Sequence, residues 1–185
     1  MLDSTSHVVE CGVDDFHIVS KKERLNEFSK VCKLRGFTFT LLDNKVNRYD
    51  ANDLINPITD LINRFLPEEV YIPYPSYNQD HQEVYKASLV ALRPHDLNHF
   101  VKKVFVYEET QVNDWDYSHS LNNGFKPNFF REIDVELKVK SYELMASQVR
   151  EFRSSEYLKH MARLRGFQAD VAFAEAFQLI RYVEK

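Results

Sequence analysis

Hydrophobic positions along the first half of the chain follow two alternating periods. Short runs rich in β-branched and aromatic residues occur at 7–11, 37–42, 69–73 and 101–107, a pattern typical of buried strands. Between them, apolar residues recur every three or four positions, which is typical of amphipathic helices. The alternation predicts right-handed βαβ units and an α/β fold, a Rossmann-like three-layer domain with a mainly parallel sheet.

Residues that begin and end helices support these boundaries. Ser20 opens a capping-box sequence at the first helix, and Gly36 is placed to end it. Asp134 precedes a later helical pattern, and a second one over about 155–164 is expected to end at Gly166. No linker or repeat divides the chain, so a single domain over residues 1–185 is predicted.

Composition excludes several classes of protein. The net charge of −4 and the lack of a basic run argue against a nucleic-acid-binding protein. No segment approaches the roughly 18 apolar residues of a membrane span. Cys11 and Cys32 give no disulfide framework, which favours a cytoplasmic protein. With four glycines there is no glycine-rich phosphate loop, so a Rossmann-like nucleotide binder is disfavoured.

Polar residues cluster where the third predicted strand meets the helix that follows it. Asn78, Asp80 and His81 come directly after the run at 69–73 and before a helical pattern that starts near Val84. Ligands bind at this edge of parallel α/β sheets, and a carboxylate beside an imidazole can orient a metal-ligating His. The alternative is a polar turn that only caps the helix.

A second polar group follows the first predicted strand. Asp14 and Asp15 come just after Gly12, and His17 lies two residues further on. Adjacent carboxylates after a strand suit a general base and a metal ligand. They equally suit a solvated turn, and local sequence favours the turn.

Five short motifs occur in an order that resembles the PIG-L/LmbE-like de-N-acetylase family, over about residues 20 to 183. Each motif is weak alone, and the ordered set is specific. The motifs are Asn78-Gln79-Asp80-His81 with Arg93-Pro94, Tyr107-Glu108, Phe125-Lys126-Pro127-Asn128, Lys140-Ser141-Tyr142 with Ser147-Gln148, and Arg165-Gly166 with Ala174-Glu175-Ala176-Phe177.

The resemblance implies a zinc-dependent hydrolase that removes acetyl groups from N-acetylglucosaminyl substrates. By the same resemblance, His81 would bind zinc and Asp80 would orient the site. Asn78 stands where the family often has a His that helps to stabilise the oxyanion. The family's first motif, His-Pro-Asp-Asp-Glu, supplies two zinc ligands and the general base, and it does not occur here. The expected domain is therefore N-terminally incomplete relative to the family.

The run at 7–11 can correspond to either of two strands of the family. In one hypothesis it is the family's second strand, and the central strand is absent; Glu23-Arg24 follows it as in the family. In the other it is the central strand itself, with sheet order 2-1-3, because a gap in a sheet would leave backbone groups unpaired.

The second hypothesis would bring the two acidic residues to the site. Asp14 would then be the candidate base and Asp15 a candidate zinc ligand, close to His81. In both hypotheses the family's first zinc-ligating His has no equivalent in this sequence.

Two functions from different classes follow. One is a zinc de-N-acetylase, and the other is a non-catalytic relative or fragment that binds a sugar-containing ligand. The partner in both is a small molecule or glycan that bears N-acetylglucosamine. An incomplete sheet also exposes an apolar edge, which favours pairing with another copy of the chain. Because zinc needs three protein ligands, weak zinc binding and little activity are expected.

Overall fold

The computed structural model describes residues 6–15, 19–94, 100–109 and 124–184. Within these, six strands and five α-helices are formed. The strands are β1 (His7–Glu10), β2 (Thr38–Leu41), β3 (Glu69–Pro73), β4 (Lys103–Tyr107), β5 (Phe129–Glu132) and β6 (Ala174–Tyr182). The helices are α1 (Lys21–Arg35), α2 (Ala51–Phe65), α3 (Gln79–Ala91), α4 (Val135–Glu143) and α5 (Ser155–Gln168).

The chain divides into two compact units. The first comprises Met1–Val46 and Ile133–Phe173, and the second comprises Asn47–Glu132 and Ala174–Lys185. The chain therefore passes from the first unit to the second and back, and ends in the second.

The first unit contains one βαβ element and the two later helices. β1 and β2 pair in parallel, with His7 opposite Thr38, and α1 connects them. The Ser20 hydroxyl accepts the Glu23 N–H at 3.2 Å, and Gly36 ends α1 with a left-handed φ of 71°. Both helix ends thus lie where their capping chemistry predicts.

The second unit contains a four-stranded sheet in the order β3-β4-β6-β5. β3 and β4 pair in parallel, whereas β6 runs antiparallel to both β4 and β5. Phe105 and Val106 of β4 have no exposed surface, and Ile72 of β3 is buried beside them. Because β4 is buried on both faces, its sequence is a continuous apolar run and does not alternate with polar residues.

The α/β class is confirmed, with parallel β1–β2 and β3–β4 pairs and an antiparallel addition. The predicted strands are found within two residues of their expected ends. The four-residue strand β5 (Phe129–Glu132) was not predicted, because it has none of the β-branched residues that mark the other runs. Its pairing with β6 is a tertiary contact.

The sheet order 2-1-3 is wrong for the described residues. β1 pairs with β2 and β3 pairs with β4, and the strands form two separate hydrogen-bonded sheets. The expectation that backbone pairing would place β1 beside β3 therefore failed. The hypothesis in which a central strand is absent stays a prediction.

The sequence predicted that Gly166 would end a helix, and this prediction is wrong. Gly166 lies inside α5, which continues to Gln168. A Cβ atom at this position would lie 2.7 Å from the backbone oxygens of both Val171 and Ala172. Glycine is required here because the chain after α5 returns against the helix at contact distance.

Replacing Gly166 with Ala is expected to destabilise the protein by about 2 kcal/mol, since backbone atoms must move to admit the methyl group. The gain in helix propensity of about 1 kcal/mol is too small to offset this. Urea unfolding measures the difference. The matched variant Gly36→Ala meets open space and is expected to lose only about 1 kcal/mol, from its left-handed φ. A Gly166→Ala protein as stable as the wild type would contradict the packing argument.

Candidate functional site

The turn between β3 and α3 brings together the residues that the sequence singled out in the second unit. β3 ends at Pro73, and α3 begins at Gln79. Asn78 is the N-cap of α3, and its side-chain oxygen accepts the Asp80 N–H at 2.9 Å. The side-chain oxygen of Asn78 therefore caps the helix, which is the alternative role that the sequence suggested for this turn. An oxyanion role for the Asn78 amide group stays a prediction.

Asp80 is buried, and its carboxylate holds the segment before α2. One oxygen accepts the Asn47 N–H at 2.6 Å, and the other accepts the Tyr49 N–H at 3.2 Å. Asn47 has a left-handed φ of 65°, a conformation that costs energy in a residue other than glycine. Asp80 therefore fixes the backbone beside the turn, and a catalytic role for it stays a prediction.

His81 lies in the first turn of α3, with 22% of its side chain exposed. Its Nδ1 is 2.9 Å from the Ser76 hydroxyl oxygen and 3.3 Å from a carboxylate oxygen of Glu109. Both partners therefore approach the same ring nitrogen. An imidazole held through one nitrogen is oriented to present the other to a ligand or a metal.

The electrostatic surroundings of His81 favour its neutral form. Burial lowers the pKa of the imidazole, and the neighbouring Asp80 carboxylate opposes this by a smaller amount. A neutral imidazole carries one proton and one lone pair, so it can act as a base, a hydrogen-bond acceptor or a metal ligand.

The two acidic residues after β1 belong to the first unit. Asp14 accepts the Val46 N–H at 3.0 Å, and Asp15 accepts the Lys21 N–H at 2.7 Å at the start of α1. Both side chains therefore satisfy backbone donors of a turn and a helix, as the turn interpretation expects. Their roles as base and zinc ligand stay predictions. His17 lies outside the described residues.

The described residues do not fit a catalytic zinc site. Over residues 6–15, 19–94, 100–109 and 124–184, no three His, Cys, Asp or Glu side chains group closely enough to hold a metal ion. A catalytic zinc has three protein ligands and one open position. One oriented imidazole cannot supply these.

A groove of about 310 Å³ lies at the opposite end of β3 from His81. Its polar walls include two ion pairs, Lys102 with Glu68 and Lys103 with Glu69, each at 2.7 Å. The lining residues are Glu68, Glu69, Lys102, Lys103, Tyr182, Val183 and Glu184. This groove is not the expected site, which lies at the turn that carries His81.

The motif residues around α4 have structural contacts within the first unit. The Tyr142 hydroxyl lies 2.8 Å from the backbone oxygen of Gln148 and 2.7 Å from that of Arg153, and it can donate its one proton to either. Ser147 donates through its backbone N–H and its hydroxyl to the buried carboxylate of Glu27. These bonds hold the single 3₁₀ turn after α4 (Ala146–Gln148).

Solved structures share this arrangement of strands and helices. The conserved protein TT1542 from Thermus thermophilus superposes with a TM-score of 0.78 at 16% identity, over 98% of this chain and 84% of that chain. The N,N'-diacetylchitobiose deacetylase of Pyrococcus horikoshii gives 0.70 at 17% identity, over 95% and 72%. The resemblance to de-N-acetylases is thus confirmed at the level of the fold. This chain has the fold of the PIG-L/LmbE-type deacetylases.

The shared fold does not determine the reaction. GalB, the 4-carboxy-2-hydroxymuconate hydratase of Pseudomonas putida, matches with a TM-score of 0.74 at 19% identity, over 98% of this chain and 87% of that chain. Deacetylases and a hydratase thus share it, and function has to be argued from the site. No family model and no curated protein matches the sequence.

Two residues of the site were not identified as such from the sequence. Ser76 is almost fully buried, and Glu109 follows β4 by two residues. A signal for Glu109 existed, because acidic residues directly after parallel strands lie at the edge where ligands bind. Ser76 carried none, since a Ser two residues before a helix cap is common in turns.

No helix in the described part of the chain combines the length and apolarity needed to cross a membrane.

Replacing Asp80 with Ala is expected to destabilise the protein by about 3 kcal/mol, because two backbone N–H groups lose a buried acceptor. Asp80→Asn retains one acceptor oxygen, and about half of that loss is expected. The free energy of unfolding in urea measures both.

The matched control is Asp60→Ala, which removes a carboxylate from an exposed position in the middle of α2. It is expected to change stability by less than about 0.5 kcal/mol. Equal losses in the Asp80 and Asp60 variants would show that the two hydrogen bonds contribute nothing specific.

Proposed function

We propose that this chain binds an N-acetylated amino sugar at the turn between β3 and α3 and hydrolyses its amide slowly or not at all. The observation that carries the proposal is the contrast at His81. Its imidazole is held firmly by neighbours, yet the described residues supply no three ligands for a metal. The protein would thus use a deacetylase fold mainly for recognition.

The position of the turn supports binding. It lies at the carboxyl end of β3, next to β4, and in parallel α/β sheets ligands bind outside that end of the strands. His81 is partly exposed there. Hydroxyl and acetamide groups of an amino sugar both donate and accept hydrogen bonds, so an imidazole can pair with either.

The choice of ligand class comes from the structural relatives. One of them is a deacetylase named for N,N'-diacetylchitobiose and solved with an inhibitor. An N-acetylglucosamine unit is the substrate class that the sequence motifs also imply. The present chain would bind a ligand of the same class.

A zinc-dependent de-N-acetylase is the second candidate. The contacts at Nδ1 of His81 favour it, because metal-ligating His residues commonly donate their other ring N–H to a carboxylate. Asp15 and His17 are the candidates for further ligands, and Asp14 is the candidate base. The described residues do not fit the metal, however, and they support no reaction step through zinc.

Metal content and turnover separate the two candidates. The purified protein, dialysed against one equivalent of Zn²⁺, is expected to retain well under one zinc per chain and to show no deacetylation of N-acetylglucosamine above a protein-free blank. Elemental analysis and amine release measure these. One zinc per chain, with turnover abolished in His81→Ala, would establish the enzyme and overturn the proposal.

Binding is tested directly by titration calorimetry or chemical-shift perturbation with N-acetylglucosamine. His81→Ala is expected to weaken binding about fivefold, as the loss of one neutral hydrogen bond predicts. The control His160→Ala removes an imidazole that is 73% exposed on α5 and is expected to bind like the wild type. Absence of binding to the wild-type protein would refute the recognition role.

A further inference from the structure

The ring of His81 has two polar neighbours at one nitrogen, and they differ in whether they can donate a hydrogen bond. The Ser76 hydroxyl can either donate to Nδ1 or accept from it. The Glu109 carboxylate can only accept when ionised. Ser76 lies 2.9 Å and Glu109 lies 3.3 Å from Nδ1. The tautomer of the neutral ring therefore depends on which of these two neighbours interacts more strongly with Nδ1.

We infer that Glu109 is a positioning residue that keeps the proton of neutral His81 on Nδ1 and leaves the lone pair of Nε2 directed at the ligand. A carboxylate oxygen facing a bare Nδ1 would bring two acceptors together. With the proton on Nδ1, the ring N–H can donate to the Ser76 oxygen at 2.9 Å, and the positive end of that N–H then lies beside the Glu109 carboxylate at 3.3 Å. The negative charge of Glu109 therefore favours the tautomer whose N–H dipole points toward it.

Ser76 is held so that it supports this arrangement. Its side-chain oxygen accepts the Asn78 N–H at 3.3 Å, and its backbone oxygen accepts the Gln82 side-chain amide at 2.8 Å. The residue is 1% exposed. Ser76 is thus a fixed acceptor beside the ring, and the hydroxyl oxygen that takes the Asn78 N–H has a second lone pair for the His81 N–H.

The consequence concerns the chemical class of the ligand group at this position. A bare Nε2 accepts a hydrogen bond and cannot donate one in the neutral ring. The group that pairs with it must therefore be a donor, such as a sugar hydroxyl or the N–H of an acetamide. This consequence rests on the proposed function, whereas the tautomer itself does not.

The tautomer is read directly from long-range ¹H–¹⁵N correlation spectra of the histidine rings, recorded on the metal-free protein near pH 8. This pH lies above the ordinary His pKa of about 6.5. The His81 signals are assigned by their loss in His81→Ala. The wild type is expected to show protonated Nδ1 and bare Nε2. A wild-type ring protonated mainly on Nε2 would overturn the inference without any variant.

Variants then separate the two neighbours. Glu109→Ala is expected to shift the ratio of the tautomers toward Nε2–H by about threefold, the size expected for a partly exposed charge at 3.3 Å. Ser76→Ala is expected to keep the proton on Nδ1. Glu132→Ala, which removes an exposed carboxylate from β5, is the charge-matched control and is expected to change nothing.

A merely structural role for Glu109 would leave the tautomer ratio unchanged in Glu109→Ala, and that result would refute the assignment. Glu109→Gln serves as the second variant, because its side-chain oxygen still accepts, and it is expected to restore much of the Nδ1–H form. Addition of N-acetylglucosamine gives an independent result. A shift of the Nε2 resonance supports the proposed function, and its absence refutes that function while the tautomer measurement stands.

Discussion

The second unit depends on the buried carboxylate of Asp80. Two backbone N–H groups, from Asn47 and Tyr49, donate to its two oxygens, and Asn47 is held in a left-handed conformation. The same residue lies between the helix cap Asn78 and the imidazole of His81. One side chain thus ties the segment that starts α2 to the turn that starts α3. A buried charge is stable only when it is hydrogen-bonded in this way, and these two bonds hold the turn against the segment before α2.

Beside this turn, His81 is partly buried, and the described residues place no group of three metal-ligating side chains around it. Its ring is oriented by Ser76 and Glu109, while the described residues offer no set of three metal ligands. Asp14 and Asp15 accept hydrogen bonds from backbone N–H groups of the first unit, and their roles as base and zinc ligand stay predictions. Orientation of a single imidazole costs little and serves hydrogen bonding, whereas zinc binding requires several converging donors.

The expected pairing of β1 with β3 is not formed, and each strand has other partners. β1 and β2 form one parallel sheet, and β3 begins a second sheet of four strands. The second sheet gains its stability from β4, which is buried on both faces and pairs with β3 and β6. Its core is supplied by residues of β3, β4 and the ends of α2 and α3.

The sequence by itself determined the α/β class, the helix ends at Ser20 and Gly36, and the turn that carries Asn78, Asp80 and His81. These follow from local causes, namely hydrophobic period, capping chemistry and the φ of glycine. Only the tertiary structure decided that β1 does not pair with β3, that Gly166 lies inside a helix, and that Ser76 and Glu109 meet at one nitrogen of His81. Each of these depends on backbone or side-chain groups brought together by the folded chain, and no local pattern records which of those groups will meet.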